Sequence, residues 1–67
     1  MISARNQFKG QVKTVKLGTV MAEVVVQVGD LEVVAAITRA SAENLKLKPG
    51  DVVTVLVKAT EVMIAKE

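Results

Sequence analysis

Val20-Met21-Ala22-Glu23-Val24-Val25-Val26-Gln27-Val28, then Gly29-Asp30, then Leu31-Glu32-Val33-Val34-Ala35-Ala36-Ile37-Thr38 is the stretch that decides the fold. It reads as two strands and the tight turn between them. β-Branched side chains fit a pleated surface, and Val20, Ala22, Val24, Val26 and Val28 recur with a period of two, so they share one face. Met21, Glu23, Val25 and Gln27 make a mixed opposite face. Gly29 stands first of the two central residues, as a type II′ hairpin turn requires.

The pattern extends both ways. Phe8, Gly10 and Val12 alternate with Gln7, Lys9, Gln11 and Lys13, giving an earlier strand with one wet face, and Lys16 to Thr19 reads as a turn. Beyond Thr38 comes the one helix candidate, Ser41 to Leu47. Ser41 suits the N-cap, Glu43 the first turn, and Lys46 and Lys48 the end, all favourable for the helix dipole. Pro49-Gly50 stops it. Asp51 to Lys58 is a fourth strand, with Val52 and Leu56 on one side and Val53, Val55 and Val57 on the other, so it needs cover on both faces. Val62, Met63 and Ile64 predict a short last strand. The expected fold is all-β: a small OB-like Greek-key β-barrel of about five strands, with one short helix before the fourth.

Sixty-seven residues make a single domain, residues 1–67. A chain of this size buries only about 60% of its unfolded surface by itself. With no Cys and no His, disulfides and zinc cannot make up the deficit, and oligomerisation is the remaining common route. Apolar residues are 51% of the chain and mean hydropathy is +0.41, yet no uncharged apolar run approaches the roughly 18 residues of a spanning helix. The start has no secretory pattern, so a soluble cytoplasmic homo-oligomer is expected.

The same composition excludes much chemistry. Without His or Cys there is no nucleophilic dyad built on either, and the seven acids form no pattern that implies a shared pocket. No phosphate-cradling glycine loop is present. The chain does not read as an enzyme, and neither a metal site nor a cofactor is expected. A net charge of +2 is too small to imply nucleic acid, and the single aromatic, Phe8, reads as core packing rather than a base-stacking platform. The basic residues are unevenly placed, since Arg5, Lys9, Lys13 and Lys16 all precede the first acid, Glu23. That arrangement gives either a solvated strand face or a positive field that draws in anions.

An oxyanion site can be assembled from what remains. A tetrahedral dianion wants cationic charge, hydroxyl donors and backbone amides. Arg5 and Lys58 can supply the charge, Ser3, Thr38, Ser41 and Thr60 the hydroxyls, and the amides near Ser41 and Ala42 further donors. Each residue also has an ordinary reading: Ser41 as a helix cap, Arg5 and Lys58 as surface cations, Thr38 and Thr60 as strand ends.

Ser3-Ala4-Arg5-Asn6-Gln7, Lys9-Gly10-Gln11-Val12 and Gly18-Thr19-Val20-Met21-Ala22-Glu23-Val24 together resemble the molbindins, or Mop proteins, whose unit also forms the TOBE domains of molybdate regulators and transporter ATPases. Ile37 to Ser41, Leu47 to Asp51 and Val57 to Ile64 match as well. The resemblance implies an OB-like barrel assembled as a hexamer, a trimer of dimers, with molybdate or tungstate as ligand and storage or buffering of the oxyanion as the role. Sites lie between subunits, with a second class on the three-fold axes. Carried over by motif, Ser3, Ala4 and Arg5 of one subunit face Thr38, Ser41, Lys58, Ala59 and Thr60 of another. Relatives often have Ser at position 59, whereas Ala59 offers only its backbone N–H. An alternative likeness, of Leu45 to Asp51 and the Val-rich strand after it, is to swapped-hairpin DNA-binding factors of the AbrB type. A third reading is an oligomer with no ligand.

Overall fold

The computed structural model describes residues 4–67, and its chain order is β1 (Asn6–Leu17), β2 (Met21–Val28), β3 (Leu31–Thr38), α1 (Arg39–Asn44) and β4 (Val52–Val57). A single 3-10 turn, Ala59–Glu61, follows β4. The four strands make one antiparallel sheet in the order β3-β2-β1-β4, with the short helix before β4, a small OB-like fold. Among the described residues no helix is long and apolar enough to cross a membrane.

β1 organises the sheet. Its first half pairs with β4, from Asn6 opposite Val57 to Gln11 opposite Val52, and its second half pairs with β2, from Gln11 opposite Gln27 to Leu17 opposite Ala22. Between the halves Lys13 is an extra residue, because Val12 opposes Val26 and Thr14 opposes Val25. Such a bulge bends the strand and shifts its alternation. The inward positions accordingly pass from Gly10 and Val12 to Val15. Gly10 lies where the bent strand crosses β2: a Cβ there would stand 2.6 Å from the Gln27 carbonyl oxygen and 2.7 Å from Val26 Cγ1.

The hairpin forms as its sequence requires. Gly29 has φ +58° while Asp30 keeps a negative φ, the signs of a type II′ turn. Ala22, Val24 and Val26 point inward, and Val12, Val24 and Val26 form the buried centre, flanked by Val15, Val28, Ile37, Leu47, Val53 and Val55.

Four expectations are corrected. β1 runs on through Lys16 and Leu17, so the turn starts only at Gly18, whose N–H donates to the Met21 carbonyl at 2.8 Å. The helix begins three residues earlier than expected, with Thr38 rather than Ser41 as its N-cap; Thr38 Oγ1 accepts the Ser41 N–H at 3.1 Å. Glu43 therefore falls in the last turn, not the first, and no basic residue occupies that last turn. Val62 to Ile64 makes no strand, and Met63 is 92% exposed. Phe8 is 44% exposed and outside the buried centre, although it stands opposite Val55, which packs against that centre.

The helix ends without glycine. Lys46 N–H donates to the Glu43 carbonyl at 3.0 Å and Leu47 N–H to the Ala42 carbonyl at 3.2 Å, the paired bonds of a Schellman ending. The left-handed position that this ending demands is filled by Lys46, at φ +52°. The chain then turns through Pro49-Gly50. Val12 clamps that turn, accepting the Gly50 N–H and donating its own N–H to the Asp51 carbonyl, each at 2.8 Å.

Much apolar surface stays uncovered. The chain exposes 5640 Å², against about 4,100 Å² expected for a compact monomer of its mass. Val52 is 67% exposed on the outer side of β4, and Val34 lies exposed on the outer side of β3. A concave apolar cleft of about 330 Å³ opens beside the core, lined by Val24, Val26, Ile37, Leu45, Val53 and Leu56 among others.

Candidate oxyanion site

Strand register fixes where the candidate residues fall. Asn6 opposite Val57 is the last β1–β4 pair, so Arg5 and Lys58 each flank that same end of the pairing. The Asn6 side chain braces this end, donating from Nδ2 to the Val57 carbonyl at 3.3 Å. Ala4 and Arg5 enter β1 here, and Lys58 leads from β4 into the 3-10 turn that holds Ala59 and Thr60. Ser3 lies outside the described residues. Arg5, Lys58, Ala59 and Thr60 are all exposed.

Two like charges gathered at one end of a strand pair repel. Among the described residues the side-chain ion pairs are Lys13 with Glu32 and Arg39 with Glu43, and neither relieves this repulsion. An anion held between Arg5 and Lys58 would relieve it.

Thr38 and Ser41 fall elsewhere. Thr38 ends β3 opposite Met21, and Met21 follows the turn at the far end of β1. Thr38 Oγ1 and Ser41 Oγ are 2.8 Å apart, so the two hydroxyls form one small polar unit. The amide of Ser41 is not free for a ligand, since Thr38 takes it, and Ala42 is buried. The backbone donors expected near Ser41 and Ala42 are thereby corrected.

One subunit thus sorts the candidate residues into two groups. Ala4, Arg5, Lys58, Ala59 and Thr60 share the start of β1, and Thr38 and Ser41 share its end. This differs from the motif-based division, which set Arg5 apart from Lys58 to Thr60. In one chain the length of β1, twelve residues with a bend at Lys13, lies between the two groups.

Sequence reasoning passed over Arg39. Its N–H donates to the Val20 carbonyl at 2.7 Å, its Nη1 to the Gly18 carbonyl at 3.2 Å, and its Nε to Glu43 Oε1 at 3.3 Å. The spacing of Arg39 and Glu43, four apart, was the available signal. Among the described residues no group of three or more His, Cys, Asp or Glu side chains is placed to hold a metal ion.

Comparison with known proteins adds the following. The model of the TOBE domain matches residues 2–64. Over 64 residues, 94% of both chains, the sequence is 48% identical to molybdenum-pterin-binding protein 3 of Clostridium pasteurianum. It is 47% identical to the molybdenum transport protein ModE of Azotobacter vinelandii, matching 97% of this chain but 24% of that protein. The fold superposes on a molybdate-binding protein from Sporomusa ovata with a TM-score of 0.94 and 50% identity, covering 98% of each chain. The match to MopII from Clostridium pasteurianum has a TM-score of 0.92 at 45% identity, covering 98% of this chain and 100% of that one. Residues 45–51, which suggested the swapped-hairpin alternative, lie within the TOBE match, and that alternative is not favoured.

Proposed function

The chain belongs to the TOBE-domain family, and from that premise we propose that it is a non-catalytic module binding molybdate or tungstate between subunits of a homo-oligomer. The observation that carries the proposal is the gathering of Arg5 and Lys58 at one end of β1, neither in a side-chain ion pair among the described residues, with the Thr38–Ser41 hydroxyl pair at the other end. The first group supplies positive charge, the second neutral donors, and a tetrahedral dianion needs both. In this reading at least two copies of the chain bring the two together. The names of the relatives support the choice of anion, and the uncovered faces of β3 and β4 support the assembly.

Residues 1–67 act as one domain in this reading, and the assembly is a hexamer built as a trimer of dimers. Ser3, Ala4, Arg5, Thr38, Ser41, Lys58, Ala59 and Thr60 form the binding residues. Ala59 contributes its N–H alone, so Thr60 carries the hydroxyl contact of the 3-10 turn. Capture is reversible and makes no covalent bond. Selectivity over sulfate rests on cavity size, because the two kinds of anion share charge and shape. Phosphate carries a proton near neutral pH, which a site made only of donors disfavours. Storage or buffering of the oxyanion in the cytoplasm is the role that follows. Because the ligand binds the assembly and not the unfolded chain, it also stabilises the assembly.

Calorimetric titration with molybdate, tungstate and sulfate tests the proposal, with Arg5→Ala as control. The expected result is tight binding of the first two, weak binding of sulfate and loss in the variant. Equal, weak heats for all three anions would refute it.

A further inference from the structure

We infer that Arg39 is a positioning residue for the oxyanion site and not one of its charges. The inference rests on the reading proposed above. Arg39 lies between Thr38 and Ser41 in sequence, and a cation so close to two hydroxyls would ordinarily be taken as the ligand's counter-charge. Its contacts argue otherwise. Nε is bound to the Glu43 carboxylate and Nη1 to the Gly18 carbonyl, and the backbone N–H is bound to the Val20 carbonyl.

Two of these bonds, to the Gly18 and Val20 carbonyls, tie the end of β3 to the 18–20 turn, and the third holds the guanidinium on its own helix. The tie matters because β3 is an edge strand, paired only with β2, so Thr38 is held by the ladder on one side alone. The turn itself is stiff. Gly18 N–H bonds the Met21 carbonyl at 2.8 Å, and a Cβ on Gly18 would come 2.8 Å from that same oxygen. Arg39 thus fixes the Thr38–Ser41 pair against a rigid reference. Its own charge is spent on Glu43, and a dianion at these hydroxyls has to draw its positive charge from Arg5 and Lys58 of another subunit.

Charge and position leave different marks in a binding experiment. A cation that faces the anion gives an affinity that falls with ionic strength, and removing it flattens that dependence. Removing a positioning bond weakens affinity, by about tenfold for one hydrogen bond, and leaves the salt dependence as it was. The test measures molybdate affinity of wild type, Arg39→Gln, Arg39→Lys and Arg5→Ala by calorimetry at several NaCl concentrations. Thermal midpoints and circular dichroism of each are recorded alongside. Arg39→Gln is expected to bind about tenfold more weakly with the wild-type salt slope, while Arg5→Ala shows a flattened slope. Arg39→Lys, which keeps the charge and loses the planar fork, is expected to be weakened like Arg39→Gln. A flattened slope in Arg39→Gln with wild-type behaviour in Arg39→Lys overturns the inference, as does wild-type affinity in both Arg39 variants. Failure of the wild type to bind molybdate overturns the underlying reading as well. If Arg39→Gln proves unfolded, the comparison passes to Glu43→Gln, which frees the guanidinium: unchanged or weaker binding supports the positioning role, and tighter binding with a steeper slope overturns it.

Discussion

β2 and β4 are written in nearly the same residues and meet opposite fates. β2, Met-Ala-Glu-Val-Val-Val-Gln-Val, is paired on both sides and buries Ala22, Val24 and Val26. β4, Val-Val-Thr-Val-Leu-Val, is more apolar still, yet it is paired on one side only and none of its residues is buried. Composition alone cannot explain the contrast. β2 serves the core of its own chain, whereas the outer side of β4 presents Val52, 67% exposed, to a surface that the chain does not provide. An edge strand with exposed valines is a docking liability unless a partner covers it. The contrast separates the part of the sheet that the chain covers itself from the part that it leaves open.

The largest expected effect is at the crossing of β1 over β2. Gly10→Val has no room for its side chain against the Gln27 carbonyl and Val26, so circular dichroism should show no cooperative unfolding transition. A folded Gly10→Val protein would mean that the bend in β1 is softer than its contacts indicate. Next comes Val52→Asp, which places a carboxylate on the outer face of β4. Light scattering after gel filtration should then report a species near the monomer mass of 7.1 kDa. An unchanged oligomer would remove β4 from the interface. Val26→Ala, in the core beside β1, should cost about 2 kcal/mol in denaturant unfolding of the assembled protein. An effect near zero there would erase the distinction between the two strands.

Lys46→Gly is the smallest of the set and has the opposite sign. A side chain in the left-handed region costs about 1 kcal/mol, and glycine removes most of that cost. The thermal midpoint should rise by about 4 °C. A fall would show that Lys46 earns its place through contacts outside the single chain.

The sequence reading was most successful where one local rule governs. Gly29-Asp30 between two alternating runs defined the turn and β3 to the residue, because turn geometry and face alternation point the same way, while β2 starts one residue later than expected and leaves Val20 exposed. It went wrong where signals overlap. The bulge at Lys13 breaks the alternation of β1, so Lys16 and Leu17 read as turn although the ladder continues through them. Thr38 and Ser41 are both competent caps. The choice fell to Thr38 because β3 ends there and its hydroxyl reaches the Ser41 amide, which spacing alone could not reveal. Val62 to Ile64 carries strand-forming residues with no strand to pair with in its own chain, and Phe8 likewise reads as core while lying exposed. The candidate residues rest on motifs alone. Their separation into two groups within one chain was not legible, because it depends on the register of β1 with its neighbours.

That separation is the centre of the account, and mixing two defective chains tests it most directly. Arg5→Glu spoils the cation end and leaves the hydroxyl end intact, while Ser41→Asp does the reverse. Each oligomer alone should fail to bind molybdate. Co-expressed in equal amounts, the two chains should recover roughly one site in four, because that fraction joins an intact cation end from one chain to an intact hydroxyl end from another. No recovered binding in demonstrably mixed oligomers would mean that each site is built within one chain, and the account would be wrong.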